Sequence, residues 1–323
     1  MMTRELAIFV SALVLALSAG SVFAQVYPAK PVKVVVGFAP GGGTDIIART
    51  TAHKLSEVMG QQFVVENRPG AGTTLASALV AKAPADGYTL LTVSSSYGTS
   101  ASLYKSLSYD PEKDLVPVVL ICNVPFAIVS HPSLPVKTVA ELIAFAKARP
   151  GQVDYATSGV GGQGHLGGEL FKTMAEVDLV HVPYKGSAPA LSDVVGGRVR
   201  LLFTDLISPM PHVNSGQLRL LAVTTARRTR TVPNAPTVDE AGLPGYSFSG
   251  WGGLLAPAGT PREIIAALNN VVNRIITFPD VEQRLASLGG ETAGGPPEAF
   301  AQLIRSDIEK WKKVVRTSNV PTE

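Results

Sequence analysis

The sequence predicts an α/β fold of two domains, each a mostly parallel sheet flanked by helices, with a cleft between them. Three observations carry that expectation. At 323 residues the chain is too long for one ordinary small domain. Its strand candidates are rich in Val, Ile and Leu without strict alternation, the pattern of strands buried on both faces. Most of them also run into a Gly/Ser/Thr-rich loop that opens a helix. Thus 32–38 leads into Pro40-Gly41-Gly42-Gly43-Thr44-Asp45, and 153–157 into Ser158-Gly159-Val160-Gly161-Gly162-Gln163-Gly164-His165.

Residues 1–24 read as an export signal. Arg4 gives a short basic start, 6–17 is apolar, and Val22-Phe23-Ala24 offers a small-residue cleavage site, so the mature chain is expected to begin after Ala24. The apolar stretch is short for a membrane span, and no cysteine follows it to carry a lipid anchor. Strands are then expected at 32–38, 62–66 and 88–94, with helices at 44–59 and 73–83 between them. Two extended runs follow, 116–122 and 125–130. The alternation resumes with helix 138–148, strand 153–157, helix 164–176, strand 179–184, helix 187–195, strand 199–204, helix 206–215 and strand 218–224. Helices at 261–277, 281–288 and 297–316 close the chain. Thr138-x-x-Glu141 and Thr260-Pro261-Arg262-Glu263 read as capping boxes, and Gly60 and Gly216 stand where helix-ending glycines belong. The runs 116–130 and 218–224 read as two crossings between discontinuous domains. Domain I then comprises 25–123 plus 225–323, and domain II 124–224.

With 46% hydrophobic and 16% charged residues the chain can bury substantial cores. A formal charge of only +3, with no run of Lys or Arg, argues against a nucleic-acid partner or an anionic membrane surface. Cys122 is the only cysteine, so no intramolecular disulfide can form, and its apolar setting makes it a small buried hydrophobe.

Helix N-termini present unpaired N–H groups and partial positive charge, so the two glycine loops are candidates to share one anion site. Gly159-x-Gly161-x-x-Gly164 also matches the dinucleotide fingerprint in form. An acidic residue should then close the next strand, yet Lys185 and Gly186 stand there, and export argues against a nucleotide. The loop is left as a tight turn or a carboxylate-binding loop. Neither a P-loop nor a Gly-x-Ser-x-Gly elbow occurs, and His53, His131, His165, His181 and His212 are scattered, so neither metal nor cofactor is expected. His165 opens a helix inside the second loop, as a ligand-side donor or a local cap. Asp45, at the start of the helix after the triple glycine, is a ligand-binding candidate or a cap that accepts N–H bonds of that first turn and so shapes the loop. Asp205, at a strand tip, serves a ligand, an interdomain contact or a helix cap. Lys185 at another strand tip is a ligand cation or a solvated side chain, and Tyr97 and Tyr184 wall a substrate or pack an edge.

These residues also carry a family resemblance. Pro40-Gly41-Gly42-Gly43-Thr44-Asp45, Asn67-Arg68-Pro69-Gly70-Ala71-Gly72 and Ala83-Pro84-Ala85-Asp86-Gly87-Tyr88 are followed in order by four further motifs. They are Ser158-Gly159-Val160-Gly161-Gly162, Val182-Pro183-Tyr184-Lys185-Gly186, Pro236-Thr237-Val238-Asp239-Glu240-Ala241-Gly242 and Ala256-Pro257-Ala258-Gly259-Thr260-Pro261. Over essentially the whole mature chain they resemble the Bug-type receptors, the periplasmic substrate-binding components of tripartite tricarboxylate transporters. The resemblance implies a type II periplasmic-binding-protein-like fold whose domains close over a small organic carboxylate, without catalysis or cofactor. It further implies a periplasmic monomer that delivers its ligand to a membrane permease. Ligand contacts carry over to Gly41, Gly42, Gly43, Thr44, Ser158, Gly161, Gly162 and His165, and by position to Lys185 and Asp205. Ser95 and Ser96 match the family position only in residue type. Two other readings stay open: an exported hydrolase or transferase using the same cleft, for which no nucleophile–base pair is recognisable, and a ligand sensor feeding a signalling receptor.

Overall fold

The computed structural model describes residues 27–286 and 289–317. The expected export signal and the last residues of the expected 281–288 helix lie outside these described residues. The chain begins with β1 (Val32–Val36), α1 (Gly43–Met59), β2 (Phe63–Asn67), α2 (Thr74–Ala81), β3 (Thr89–Ser94) and α3 (Ser96–Leu103). A long strand, β4 (Leu115–Ser130), then leads to α4 (Val139–Lys147), β5 (Val153–Thr157), α5 (Gln163–Ala175), β6 (Leu179–Pro183), α6 (Ser187–Val195), β7 (Leu201–Asp205), α7 (Met210–Asn214) and β8 (Arg219–Val223). The chain returns through β9 (Ser249–Pro257), α8 (Arg262–Ile275), α9 (Pro279–Ala286), β10 (Glu291–Thr292) and α10 (Pro297–Thr317).

The strands form one mixed sheet in the order β2-β1-β3-β9-β4-β7-β5-β6, with β8 and β10 also pairing on β4. The outer strands are parallel as expected: β1 with β2 and β3, and β5 with β6 and β7. The centre is antiparallel. There β9 runs against β3 and the first half of β4, while β7 and β8 run against its second half. The two runs expected at 116–122 and 125–130 are therefore one 16-residue strand serving both halves of the sheet.

Strand β9 and helix α3 were not legible in the sequence. Strand β9 contains Gly250, Gly252 and Gly253, which reads as a loop. The glycines are there because neighbours press on the strand. A Cβ on Gly253 would lie 2.2 Å from Phe300 of α10, and one on Gly250 would lie 2.5 Å from Phe126. Helix α3 is mostly Ser, Thr, Tyr and Gly, with too few apolar residues to form a stripe, yet Ser96, Thr99 and Ser100 are all buried.

The expected helix 206–215 shrinks to the five residues of α7. Ser208 N–H is taken by Asp205 Oδ1 at 2.8 Å, which holds 206–209 as a turn. The capping box at Thr138 forms, with Oγ1 accepting Glu141 N–H at 3.1 Å. The one at Thr260 does not: its hydroxyl donates to Pro257 O at 2.7 Å, and Pro261 occupies the N-cap. Gly60 and Gly216 end their helices in the left-handed region, at φ 71° and 77°.

Each half has its own apolar core. One gathers Val34, Ile47, Leu55, Val119, Leu254 and Leu268; the other gathers Ile128, Leu142, Tyr155, Phe171, Leu201 and Phe203. Val238, Leu243, Tyr246 and Phe248 pack into the second core, although the sequence reading grouped 225–248 with domain I. Strand β8 pairs with the second half of β4, and the return to the first half runs through β9. Helix α10 spans both, burying Phe300 and Ile304 on the first side and Trp311 and Val315 on the second.

Candidate functional site

Two glycine loops share one construction. Between β1 and α1, Gly41 takes φ 86°, and Gly42 is an extended N-cap that no side chain caps. Between β5 and α5, Gly161 takes φ 72° and Gly162 is again an uncapped, extended N-cap. These positive φ values are why both loops need glycine there. In each loop the amide of the left-handed glycine is accepted by the side chain four residues on. Gly41 N–H goes to Asp45 Oδ2 at 2.8 Å, and Gly161 N–H to His165 Nδ1 at 3.3 Å.

The acceptors are supported differently. Asp45 also receives Arg49 Nε at 2.9 Å and Asn67 Nδ2 at 2.8 Å. Burial raises its pKa, but the bonds from Arg49, Gly41 and Asn67 outweigh burial and leave the carboxyl below its ordinary range. His165 instead stacks on His181, with ring centroids 4.2 Å apart and planes at 15°, and His181 stacks in turn on Tyr155. Burial, and then the neighbouring His165 and Lys172, push His181 down to about 3.

The helix heads meet around a small inner chamber of about 20 Å³. Gly43 and Thr44 head α1, Ser95 and Ser96 head α3, and Ser187 heads α6, with Ser158 after β5 and Asp205 at the tip of β7. Phe38, Val124, Phe126 and Trp251 supply its apolar walls. The Trp251 indole N–H donates to Asp307 of α10 at 3.3 Å, and burial pushes that carboxyl up to about 6. Asp205 is buried, and its acceptor positions are filled from its own half. Its Oδ2 receives Ser187 Oγ at 2.7 Å and Thr204 Oγ1 at 3.3 Å, while Oδ1 receives Ser208 N and Oγ at 2.8 and 2.9 Å. Ser208 Oγ in turn accepts Gly43 N–H at 2.9 Å, a bond between the two halves.

An outer cavity of about 260 Å³ adjoins the chamber and shares Phe38 and Ser158 with it. Its walls are segment 70–73, Tyr104, Gly159, Val160, Tyr184 and Lys185. Segment 70–73 has positive φ throughout, including Ala71 at φ 45° and Thr73 at φ 84°. Two such non-glycine residues cost about 1–2 kcal/mol each, strain that concentrates where a backbone is shaped for use. Ser100 Oγ donates to Gly72 O at 2.6 Å and helps to hold it.

Further contacts join the halves. Ala39 N–H donates to Lys185 O at 3.1 Å, and Gln163 Nε2 to Ser249 O at 2.7 Å. Ser95 Oγ bonds Gln163 Oε1, and Thr99 Oγ1 bonds Gly161 O.

Of the residues singled out in the sequence, Gly43, Thr44, Ser95, Ser96, Ser158 and Asp205 line the inner chamber, and Tyr184 and Lys185 line the outer cavity. Gly41, Gly42, Asp45, Gly161, Gly162 and His165 stand behind that lining and shape it. The Tyr184 hydroxyl donates to Asp193 at 2.7 Å, and burial together with that bond pushes it up to about 12. Tyr97 lies in the core beside Tyr109 and donates to Pro111 O, so it packs an edge. Sequence reasoning missed Gln163, Ser187, Ser208 and Trp251. The first two open helices after a glycine, a signal that was present; for Ser208 and Trp251 only the tertiary fold supplies one. Cys122 is fully buried, its thiol pushed up to about 12 by desolvation, so it is inert. Among the described residues, no three His, Cys, Asp or Glu side chains stand together to hold a metal.

Known proteins resemble this chain over most of its length. Residues 47–320 match the profile of the tripartite tricarboxylate transporter family receptor. The chain is 38% identical to protein BugT of Bordetella pertussis over 317 residues, 98% of this chain and 97% of that protein. It superposes on the R. palustris protein Rpa4515, solved with adipate, with a TM-score of 0.88 at 41% identity, covering 91% of this chain and 98% of the other. MatC from Rhodopseudomonas palustris, solved with bound malate, gives a TM-score of 0.86 at 34% identity, covering 90% and 100%. The chain therefore belongs to the tripartite tricarboxylate transporter receptor family, whose members are periplasmic solute-binding receptors and not enzymes.

Proposed function

We propose that this receptor binds a small organic carboxylate between its two halves and delivers it, as a monomer, to the permease of a tripartite tricarboxylate transporter. On this reading 27–124 with 249–317 form one domain, 125–248 form the other, and the export signal is removed after Ala24. One observation carries the binding mode: the heads of α1 and α3 from one half, and of α6 with Ser158 from the other, ring a single chamber. One carboxylate oxygen fits a space of about 20 Å³, where backbone N–H groups and serine hydroxyls neutralise it without a metal. The rest of the ligand extends past Phe38 and Ser158 into the outer cavity, between Tyr104, Tyr184 and Lys185. Asp205 draws the hydroxyl protons of Ser187, Thr204 and Ser208 from its own half, which leaves the hydroxyls of Ser96 and Ser158 to the ligand.

Adipate and malate, bound in the related structures, are the first compounds to try. Calorimetric titration with a series of mono- and dicarboxylates, with and without EDTA, is expected to find a binder whose affinity survives chelation. Small-angle scattering should then show a smaller radius of gyration on saturation. No binding by any carboxylate, or binding that disappears with EDTA, would overturn the reading.

A further inference from the structure

The second glycine loop is held from behind by a side chain that does not line either cavity. We propose that His165, backed by His181, is the positioning residue of this loop: its ring accepts the Gly161 amide and so fixes the face that the loop turns to the ligand and to the opposite domain. The inference rests on the cleft being the ligand site.

An imidazole nitrogen that accepts an N–H carries no proton, so the Gly161 bond requires neutral His165 with its proton on Nε2. Protonation at Nδ1 would set two N–H groups against each other. His181, stacked face to face at 4.2 Å, makes a charge on either ring costly to the other. His181 also reaches the loop itself. Its Nε2 lies 2.7 Å from Thr157 Oγ1, and that hydroxyl accepts Gly159 N–H at 3.2 Å. Two stacked imidazoles thus hold two amides of one loop, one directly and one through a threonine. On its other side Gly161 offers its carbonyl to Thr99 Oγ1 and, at 3.4 Å, to Ser100 Oγ of α3. The ring therefore acts on closure through Gly161. The first loop supports this assignment independently, because Asp45 accepts Gly41 N–H from the same position relative to the left-handed glycine.

The test uses the mature protein with His165→Asn, whose Oδ1 can replace Nδ1, and His165→Leu, which has no acceptor. Long-range proton–nitrogen NMR of the unliganded wild type is expected to show the Nε2–H tautomer for His165 at pH 7. With adipate as probe, His165→Asn should bind within about threefold of wild type, and His165→Leu about tenfold or more weaker, the loss of one buried hydrogen bond. Amide exchange at Gly161 should be slow in wild type and His165→Asn and fast in His165→Leu. A proton on Nδ1, His165→Leu matching wild type, or His165→Asn failing as badly as His165→Leu would overturn the proposal. Should adipate not bind wild type, the carboxylate reading loses support, while tautomer and amide exchange still decide the role of His165. They decide it equally if His165→Leu fails to fold.

Discussion

The two glycine loops solve one backbone problem with two chemistries. Both place a left-handed glycine, an extended glycine N-cap and a helix head in sequence, and both take up the amide of the left-handed glycine with a side chain one turn on. In the first loop the acceptor is a carboxylate, which brings Arg49 and Asn67 to neutralise and orient it. In the second it is an imidazole, which needs no counter-charge and is steadied by stacking on His181. The difference teaches that the geometry is the constraint and the acceptor is negotiable. Under the proposed binding of a carboxylate, an uncharged acceptor behind one loop is favourable, since a second buried carboxylate there would oppose the ligand.

The largest expected effect separates glycines that let the two halves of the sheet meet from those that let one half pack. A Cβ on Gly43 would lie 2.4 Å from Asp205 Oδ1 of the other half; one on Gly164 would lie 2.4 Å from the main-chain oxygen of Phe203 in its own half. Gly43→Ala should weaken binding by about a hundredfold while the melting temperature stays near wild type. Gly164→Ala should cost about 3 kcal/mol of stability. Calorimetry and urea melts measure both, and equal destabilisation by the two changes would erase the distinction.

Acid should split the loops next. His181 is held neutral in the fold with its pKa pushed down to about 3 from 6.5, so its contribution is whole above pH 6.5 and drains as pH falls toward 3. That removes about 3 kcal/mol by pH 4. Asp45, whose carboxyl is lowered from 3.8, contributes fully above 3.8 and loses stability only below it. The protection of the Gly161 amide, taken relative to its intrinsic exchange rate at each pH, should therefore fall at higher pH than that of Gly41. Simultaneous loss of protection would mean that the supports are not separate.

Smaller again is the loss of the first acceptor. Asp45→Ala leaves the Gly41 and Asn67 donors without their partner and should cost about 2 kcal/mol, whereas Asp45→Asn, which keeps an acceptor, should cost less. Denaturant melts at constant slope would show the ranking, and equal losses would mean that charge, not the acceptor, holds the loop.

The finest contrast lies in the left-handed glycines. Gly41→Ala meets only Ala188 at an ordinary 3.6 Å, so it should cost about 1 kcal/mol of backbone strain. Gly161→Ala also meets Leu103, Ser100 and Tyr104 at 3.2–3.3 Å and should cost about 2 kcal/mol. If Gly41→Ala proves the costlier of the two, then contacts behind the second loop are slacker than its geometry indicates.

Most strands and helices were readable because their causes are local. In Val32–Val36 all four valines are buried and only Lys33 is exposed, so the segment reads as a strand from its β-branched residues, and Gly60 ends α1 because only a residue without a Cβ enters the left-handed region freely. Strand β9 was hidden for the opposite reason: its glycines answer to Phe300 and Phe126, which come from distant parts of the chain. In the site, loop residues such as Gly43 and Ser158 were readable from composition. Ser208 and Trp251 were not, since one lies in a turn set by Asp205 and the other on that unreadable strand.

By itself, then, the sequence determined the alternation of strands and helices, the two glycine loops and the family, because each is written in neighbouring residues: periodicity, positive-φ glycines and contiguous motifs. Only the tertiary structure decided that β4 is one strand shared by both halves, that the chain returns through β9, that Ser208 meets Gly43, and that His165 serves Gly161 with His181 behind it. Those outcomes depend on which distant surfaces bury each other, and a free energy of packing summed over long-range contacts leaves no periodic trace in the chain.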